Sequence, residues 1–145
     1  MPVSFASSKI ADESRSWNLI LINSENRIPK NYEAELVTLS NGKQEDSRIY
    51  TDLLTMFEDA RASGLQLFVR EGYRTNDEQQ KLLDDKIASF RNEGYSQSKA
   101  EKLAREWVAV PGTSEHEIGI AVDINADTEV SSKDEVYRWL QNNYL

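Results

Sequence analysis

Cysteine is absent from the 145-residue chain, which excludes a disulfide scaffold, a thiolate metal site and a thiol nucleophile. Histidine occurs once, at position 116, so a site built from this chain alone has at most one imidazole. Positive charge is in deficit: 17 Lys+Arg stand against 25 Asp+Glu, for a formal net charge of -8. That balance argues against nucleic acid as a partner, because phosphate affinity comes largely from neutralising cations. No apolar run approaches the roughly 18 residues that a membrane-spanning helix requires. Residues 1–16 are small and polar and lack the charged-then-apolar order of a secretory signal. Repeats and low-complexity tracts are missing as well. What remains, with 39% hydrophobic residues, is ordinary globular material long enough to bury one core.

The order of residues predicts one domain over 17–145 behind a flexible N-terminal tail, 1–16. Residues 17–22 are apolar and β-prone, and Asn23-Ser24-Glu25-Asn26 follows as a turn signal. A second short extended candidate covers 36–39. Over 47–63, Ile49, Leu53, Met56, Phe57 and Ala60 recur at helical spacing, with Gly64 where a C-cap glycine belongs. A strand is expected over 65–72. Thr75 and Glu78 then have the spacing of a capping box opening a helix to about Asn92, and Ser96 caps another helix through Trp107. Pro111-Gly112 is a break. Over 119–125, Ile120, Val122 and Ile124 alternate with Ala121, Asp123 and Asn125, the pattern of a half-buried strand. Ser131 or Ser132 caps a last helix whose apolar side holds Val136, Trp139 and Leu140. Trp107 and Trp139 are assigned to the core. Strands and helices mix without a βαβ rhythm, so the class is α+β.

Two stretches carry chemistry. In the second, 114–123, the alternation turns Asp123 away from the three aliphatics, and Gly119 permits a tight turn that could bring His116 over the same face. Imidazole nitrogen and carboxylate oxygen are both good zinc donors. Spacing alone equally leaves open a solvated histidine near an ordinary strand aspartate. In the first, 71–79, Arg74 at a strand exit could equally be an ion-pair partner of Glu71 or Asp77. Gln79 alone reads as a solvated first-turn residue, Ser114 as a loop or capping residue, and Tyr73 as a pocket wall or a packed strand-end ring. Glu115 and Glu117 are the nearest candidates for a general base.

Ser114-x-His116-x-x-Gly119-x-Ala121-x-Asp123 resembles the zinc-binding signature of D-alanyl-D-alanine carboxypeptidases of the VanY and VanXY type, a group that also includes L,D-carboxypeptidases. Gly72-Tyr73-Arg74 with Gln79 is similar to the family's Gly-Tyr-Arg element and its downstream glutamine. The stretches 17–23 and 107–112 resemble the approaches to these motifs, so the likeness runs from about Trp17 onward. The resemblance implies a hedgehog/D,D-peptidase-like fold, a small mostly antiparallel sheet flanked by helices. It implies His116 and Asp123 as two ligands of a catalytic zinc, and Arg74 as the cation that orients substrate and offsets charge on the scissile carbonyl. Gln79, Ser114 and Tyr73 become groups of the substrate pocket. The implied reaction removes the terminal D-alanine from peptidoglycan stem peptides, as in glycopeptide resistance, with the cell envelope as the favoured compartment.

The family's third ligand, a second histidine, and its general-base glutamate lie in a Glu-Pro-Trp-His-like segment that has no counterpart here. A chain lacking those C-terminal strands is expected to hold zinc weakly, to be impaired in hydrolysis, and to expose a sheet edge through which copies could associate. The alternatives are a non-catalytic module that binds cell-wall peptides and a phage-type endolysin peptidase that cuts a cross-bridge.

Overall fold

In the computed structural model the described residues are 17–144, so the expected tail over 1–16 lies outside them. The first element is a 3-10 turn, Trp17–Leu19, where composition predicted an extended segment. Among the described residues no strand runs beside this stretch, and a β-prone sequence without a neighbour has no ladder to join. The turn after it forms as its residues predict: Asn23 Oδ1 accepts from the backbone N–H groups of Glu25 and Asn26.

Two antiparallel ribbons make up the β structure. β1 (Leu36–Thr38) pairs with β2 (Gln44–Asp46), whose polar sequence gave no strand signal. Asp46 ends β2 and caps α1 (Ser47–Ala62), accepting from the Arg48 N–H at 2.9 Å. The Arg48 guanidinium also donates to it at 2.8 and 2.6 Å, and these bonds hold its buried carboxyl below the usual range.

β3 (Leu67–Glu71) pairs with β4 (Asp123–Ala126). Leu67 lies opposite Ala126, Val69 opposite Ile124 and, across a bulge, Glu71 opposite Asp123. The strand expected over 119–125 therefore begins only at Asp123. Gly119, at φ +80°, ends a 3-10 turn (Glu115–Ile118), and its carbonyl accepts from the Asp46 N–H at 2.8 Å. The residues leading into β4 are thus committed to β2 before they can join a ladder. Of the three alternating aliphatics, Ile124 packs against the main core cluster.

One face of the β3–β4 ribbon carries that cluster. Leu67 and Ala126 are buried against Ala60 of α1 and Val136 of α4 (Lys133–Tyr144), with Phe57, Trp139 and Leu140 packed around them. Between the strands the chain makes a helical hairpin, α2 (Asn76–Asn92) and α3 (Gln97–Trp107), closed by buried Leu83, Ala100 and Ala104. The Thr75–Glu78 capping box forms at its start. Small alanines bring the two helices close, and Trp107 extends past that contact. Its ring is 73% exposed rather than in the core, with Lys86 over one face at 4.9 Å. The architecture is α+β, small antiparallel sheets flanked by helices, as the sequence predicts.

Glu45, at the centre of β2, is fully buried and neither carboxylate oxygen has a hydrogen-bond partner. Burial raises its pKa to about 7 from an ordinary 4.5. A raised folded-state pKa means the native protein keeps a proton that the unfolded chain loses first. The contribution of Glu45 to stability is therefore greatest below pH 4.5 and is lost as pH rises towards 7, by roughly 3 kcal/mol. Glu45→Met, similar in length and uncharged, is expected to flatten that dependence and to raise the urea midpoint at pH 8, with little gain at pH 4. Equal urea midpoints for the two proteins at pH 8 would show that Glu45 carries no such burden.

Candidate metal and substrate site

The register of β3 and β4 sets the site. The exit of β3, Glu71, lies opposite the first residue of β4, Asp123, so the Gly72-Tyr73-Arg74 turn leaves the sheet beside that carboxylate. Three backbone features hold the turn. Tyr73 N–H donates to the Gln44 carbonyl of β2 at 2.6 Å, and Arg74 N–H to the His116 carbonyl at 3.1 Å. Gly72 sits so close to β2 that a Cβ there would collide with the Gln44 carbonyl oxygen, which explains the glycine.

His116 returns the contact. Its Nδ1 lies 2.8 Å from the Gly72 carbonyl, which can only accept, so Nδ1 carries the proton. In the neutral ring Nε2 then presents its lone pair, and it lies 3.7 Å from Asp123 Oδ1. That separation is long for a hydrogen bond. Two donors of one tetrahedral zinc, each about 2.0–2.1 Å from the metal, stand about 3.4 Å apart. A histidine whose distal nitrogen is fixed by a carbonyl is also the usual arrangement behind a zinc ligand. His116 and Asp123 therefore fit as a donor pair. Among the described residues no group of three or more His, Asp or Glu side chains converges on one point.

The remaining candidates divide. Arg74 Nη2 lies 3.7 Å from Asp123 Oδ2, and Nη1 donates to Gln79 Oε1 at 3.3 Å. Asp123, rather than Glu71 or Asp77, is thus its ion-pair partner; Glu71 pairs with Lys43 instead. Gln79 is buried, not solvated, and its Nε2 donates to the Ala109 carbonyl at 2.8 Å. Its Oε1 in turn accepts from Arg74. Ser114 Oγ accepts from the His116 N–H at 3.3 Å, so it caps the turn that carries the histidine. Tyr73 and Arg74 line a cleft of about 410 Å³ that does not include His116 or Asp123.

Neither glutamate beside the histidine is placed as a base. Glu115 is exposed. Glu117 is buried and turned into the loop, where it accepts from Gly112 N–H at 2.8 Å, Ser114 N–H at 3.3 Å and the Asn76 side chain at 3.2 Å. The Ser114-x-x-Glu117 spacing is that of a capping box, a signal that would have assigned it this structural duty. Sequence reasoning also missed the Gly72 carbonyl, which as a backbone group carries no side-chain signature.

A family model described as "VanY: D-alanyl-D-alanine carboxypeptidase" matches residues 42–145. The chain belongs to this family. Over 138 residues it is 48% identical to the D-alanyl-D-alanine carboxypeptidase of Enterococcus faecalis (strain ATCC 700802 / V583), covering 95% of this chain and 52% of that protein. It thus spans about half the length of the curated relatives it matches. VanYB in complex with D-alanine-D-alanine is similar in structure, with a TM-score of 0.83 and 50% identity over 88% of this chain and 70% of that one. A vancomycin-resistance VanY variant in complex with Zn(II) gives 0.82 and 50% over 88% and 71%.

Glu117→Ala leaves the buried Ser114 N–H and the half-buried Gly112 N–H without this acceptor, and frees the exposed Asn76 amide. It is expected to cost roughly 3 kcal/mol in urea denaturation, whereas Glu117→Gln, which keeps one accepting oxygen, loses less. Equal losses would mean that the acceptor itself contributes nothing.

Proposed function

We propose that residues 17–145 form the core of a zinc carboxypeptidase domain that removes the terminal D-alanine from cell-wall stem peptides. The observation that carries this reading is the His116–Asp123 pair, with one ring nitrogen fixed by Gly72 and the other 3.7 Å from the carboxylate. Zinc, when bound, polarises a carbonyl and supplies a water-derived nucleophile at neutral pH. His116 and Asp123 would hold it. Arg74, anchored by Gln79 and close to Asp123, places positive charge where the scissile carbonyl gains negative charge. Ser114 keeps the turn that positions His116. The Zn(II) and D-alanine-D-alanine complexes of the structural relatives support both the metal and the class of peptide.

A catalytic zinc normally has three protein ligands. The third donor and the base that deprotonates water would come from polypeptide other than these residues, where His116 is the sole histidine. The outer edge of β4 pairs with no strand among the described residues, so an added strand, or a second copy, could extend the sheet beside Asp123. Peptides of this kind place the work at the cell envelope. No helix among the described residues is long and apolar enough to cross a membrane.

The same two-donor geometry favours a second reading, a module that grips a D-alanine-terminated peptide without hydrolysing it. Zinc content by metal analysis and release of D-alanine from a stem pentapeptide separate the two. His116→Ala is expected to abolish zinc retention, and undiminished zinc would rule out the site. Arg74→Ala is expected to weaken binding of the pentapeptide about 10- to 100-fold with zinc content unchanged; loss of zinc would instead make Arg74 a support of the metal site.

A further inference from the structure

Of the ten asparagines in the sequence, only Asn41 is followed by glycine. A glycine nitrogen, with no Cβ beside it, can reach and attack the preceding side-chain amide carbon more freely than any other backbone nitrogen. The pair lies in the exposed loop that joins β1 to β2. Leu39 N–H donates to the Lys43 carbonyl at 2.7 Å, Gly42 N–H donates to the Leu39 carbonyl at 2.9 Å, and Gly42 is left-handed at φ +84°. The Asn41 amide is engaged at both ends. Its Oδ1 accepts from the Lys43 N–H at 3.2 Å, a contact that makes Cγ more electrophilic and supplies a donor for charge on that oxygen. Its Nδ2 donates to the Val69 carbonyl of β3 at 2.9 Å. That bond, with the one from Tyr73 N–H to the Gln44 carbonyl at 2.6 Å, ties the β1–β2 ribbon to the exit of β3 from which Arg74 departs. The Lys43–Glu71 ion pair beside them is exposed and adds little.

We propose that Asn41 is a site of spontaneous deamidation, and that its conversion unties the β1–β2 ribbon from β3. Gly42 N bonds to Asn41 Cγ, the Cγ–Nδ2 bond breaks, and Nδ2 leaves as ammonia with the Gly42 proton. A succinimide ring remains. Water then opens one of its two C–N bonds: cleavage at Cγ gives aspartate, and cleavage at the main-chain carbonyl gives isoaspartate, with the chain running through Cγ. Both products lack the Nδ2 donor and add a negative charge to the turn, and an ionised carboxylate can only accept. The Val69 carbonyl is left without its partner. In the closed turn the nucleophile is held by Leu39 and the leaving group by Val69, so reaction waits on opening of this exposed loop. Two such bonds slow it about 10- to 100-fold relative to a free peptide. The fold thereby sets the rate of a change that loosens the support of the Arg74 turn.

Tandem mass spectrometry of the tryptic peptide 31–43, after incubation of the intact chain in warm, mildly alkaline buffer, tests the chemistry. The mass gain of an amide-to-acid conversion is expected at Asn41 ahead of every other asparagine, with isoaspartate among the products. The rate should be about 10- to 100-fold below that of a synthetic 31–43 peptide. Asn41 wholly intact after roughly a hundred peptide half-lives, or conversion led by another asparagine, would overturn the site. Asn41→Asp supplies one product directly and still accepts from Lys43, so it isolates the loss of the donor to Val69. Amide hydrogen exchange at Tyr73 is expected to rise about fivefold in this variant and in the deamidated chain separated by ion exchange, while the α2–α3 hairpin is unchanged. Exchange at Tyr73 equal to that of the parent chain would overturn the coupling to β3.

Discussion

The antiparallel pairing of β3 with β4 is the constraint on which the site depends. Its register puts Glu71 opposite Asp123. The end of one strand and the start of the other are thereby neighbours, although 51 residues of chain, 72–122, lie between them. Because side chains alternate with a period of two, a slip by one residue would bury Asp123 and turn Ile124 outward. The cluster of Ala60, Leu67, Ala126 and Val136 opposes that slip, since it packs only when Leu67 and Ala126 share the inner face. Core packing and site geometry are the same fact seen from two faces of one ribbon.

β2 plays the complementary part. Its Gln44 carbonyl holds Tyr73, and its Asp46 N–H holds the Gly119 carbonyl, so two of its residues tie both motifs to one short strand. Further ties converge on the histidine loop. Arg27 donates to the Pro111 carbonyl at 2.8 Å, Tyr32 to the Ile118 carbonyl at 3.2 Å, and Ile28 N–H to the Gly112 carbonyl at 2.9 Å. With Glu117 inside the loop, the backbone around His116 is bonded from several sides. As the proposed metal donor, a side chain so held loses little freedom on binding.

Much of this was readable in the residues. The helices followed from apolar spacing and from caps at Thr75 and Ser96, because a capping side chain satisfies the same local N–H groups whatever surrounds it. The Ser114–Asp123 and Gly72–Gln79 motifs pointed to the two segments that do meet. What the residues concealed was non-local. Gln44-Glu45-Asp46 has no strand propensity and is a strand because β1 and the two motif segments pair with it. Ile120 and Val122 alternate correctly yet lie outside the ladder, because Gly119 is held by Asp46. Trp107 is apolar enough for a core but is exposed, with Lys86 of α2 over one face of its ring.

The sequence by itself determined which chemistries were available: one imidazole, no thiol, an arginine after a glycine, and a carboxylate in an apolar run. It also determined the helices, since their signals lie within a few residues of one another. Only the tertiary structure decided that Nδ1 of His116 binds the Gly72 carbonyl, that Arg74 pairs with Asp123, and that Glu117 accepts from the N–H groups of Gly112 and Ser114. Those outcomes depend on strand register and on backbone groups that every residue shares, and neither leaves a mark in the identity of a side chain.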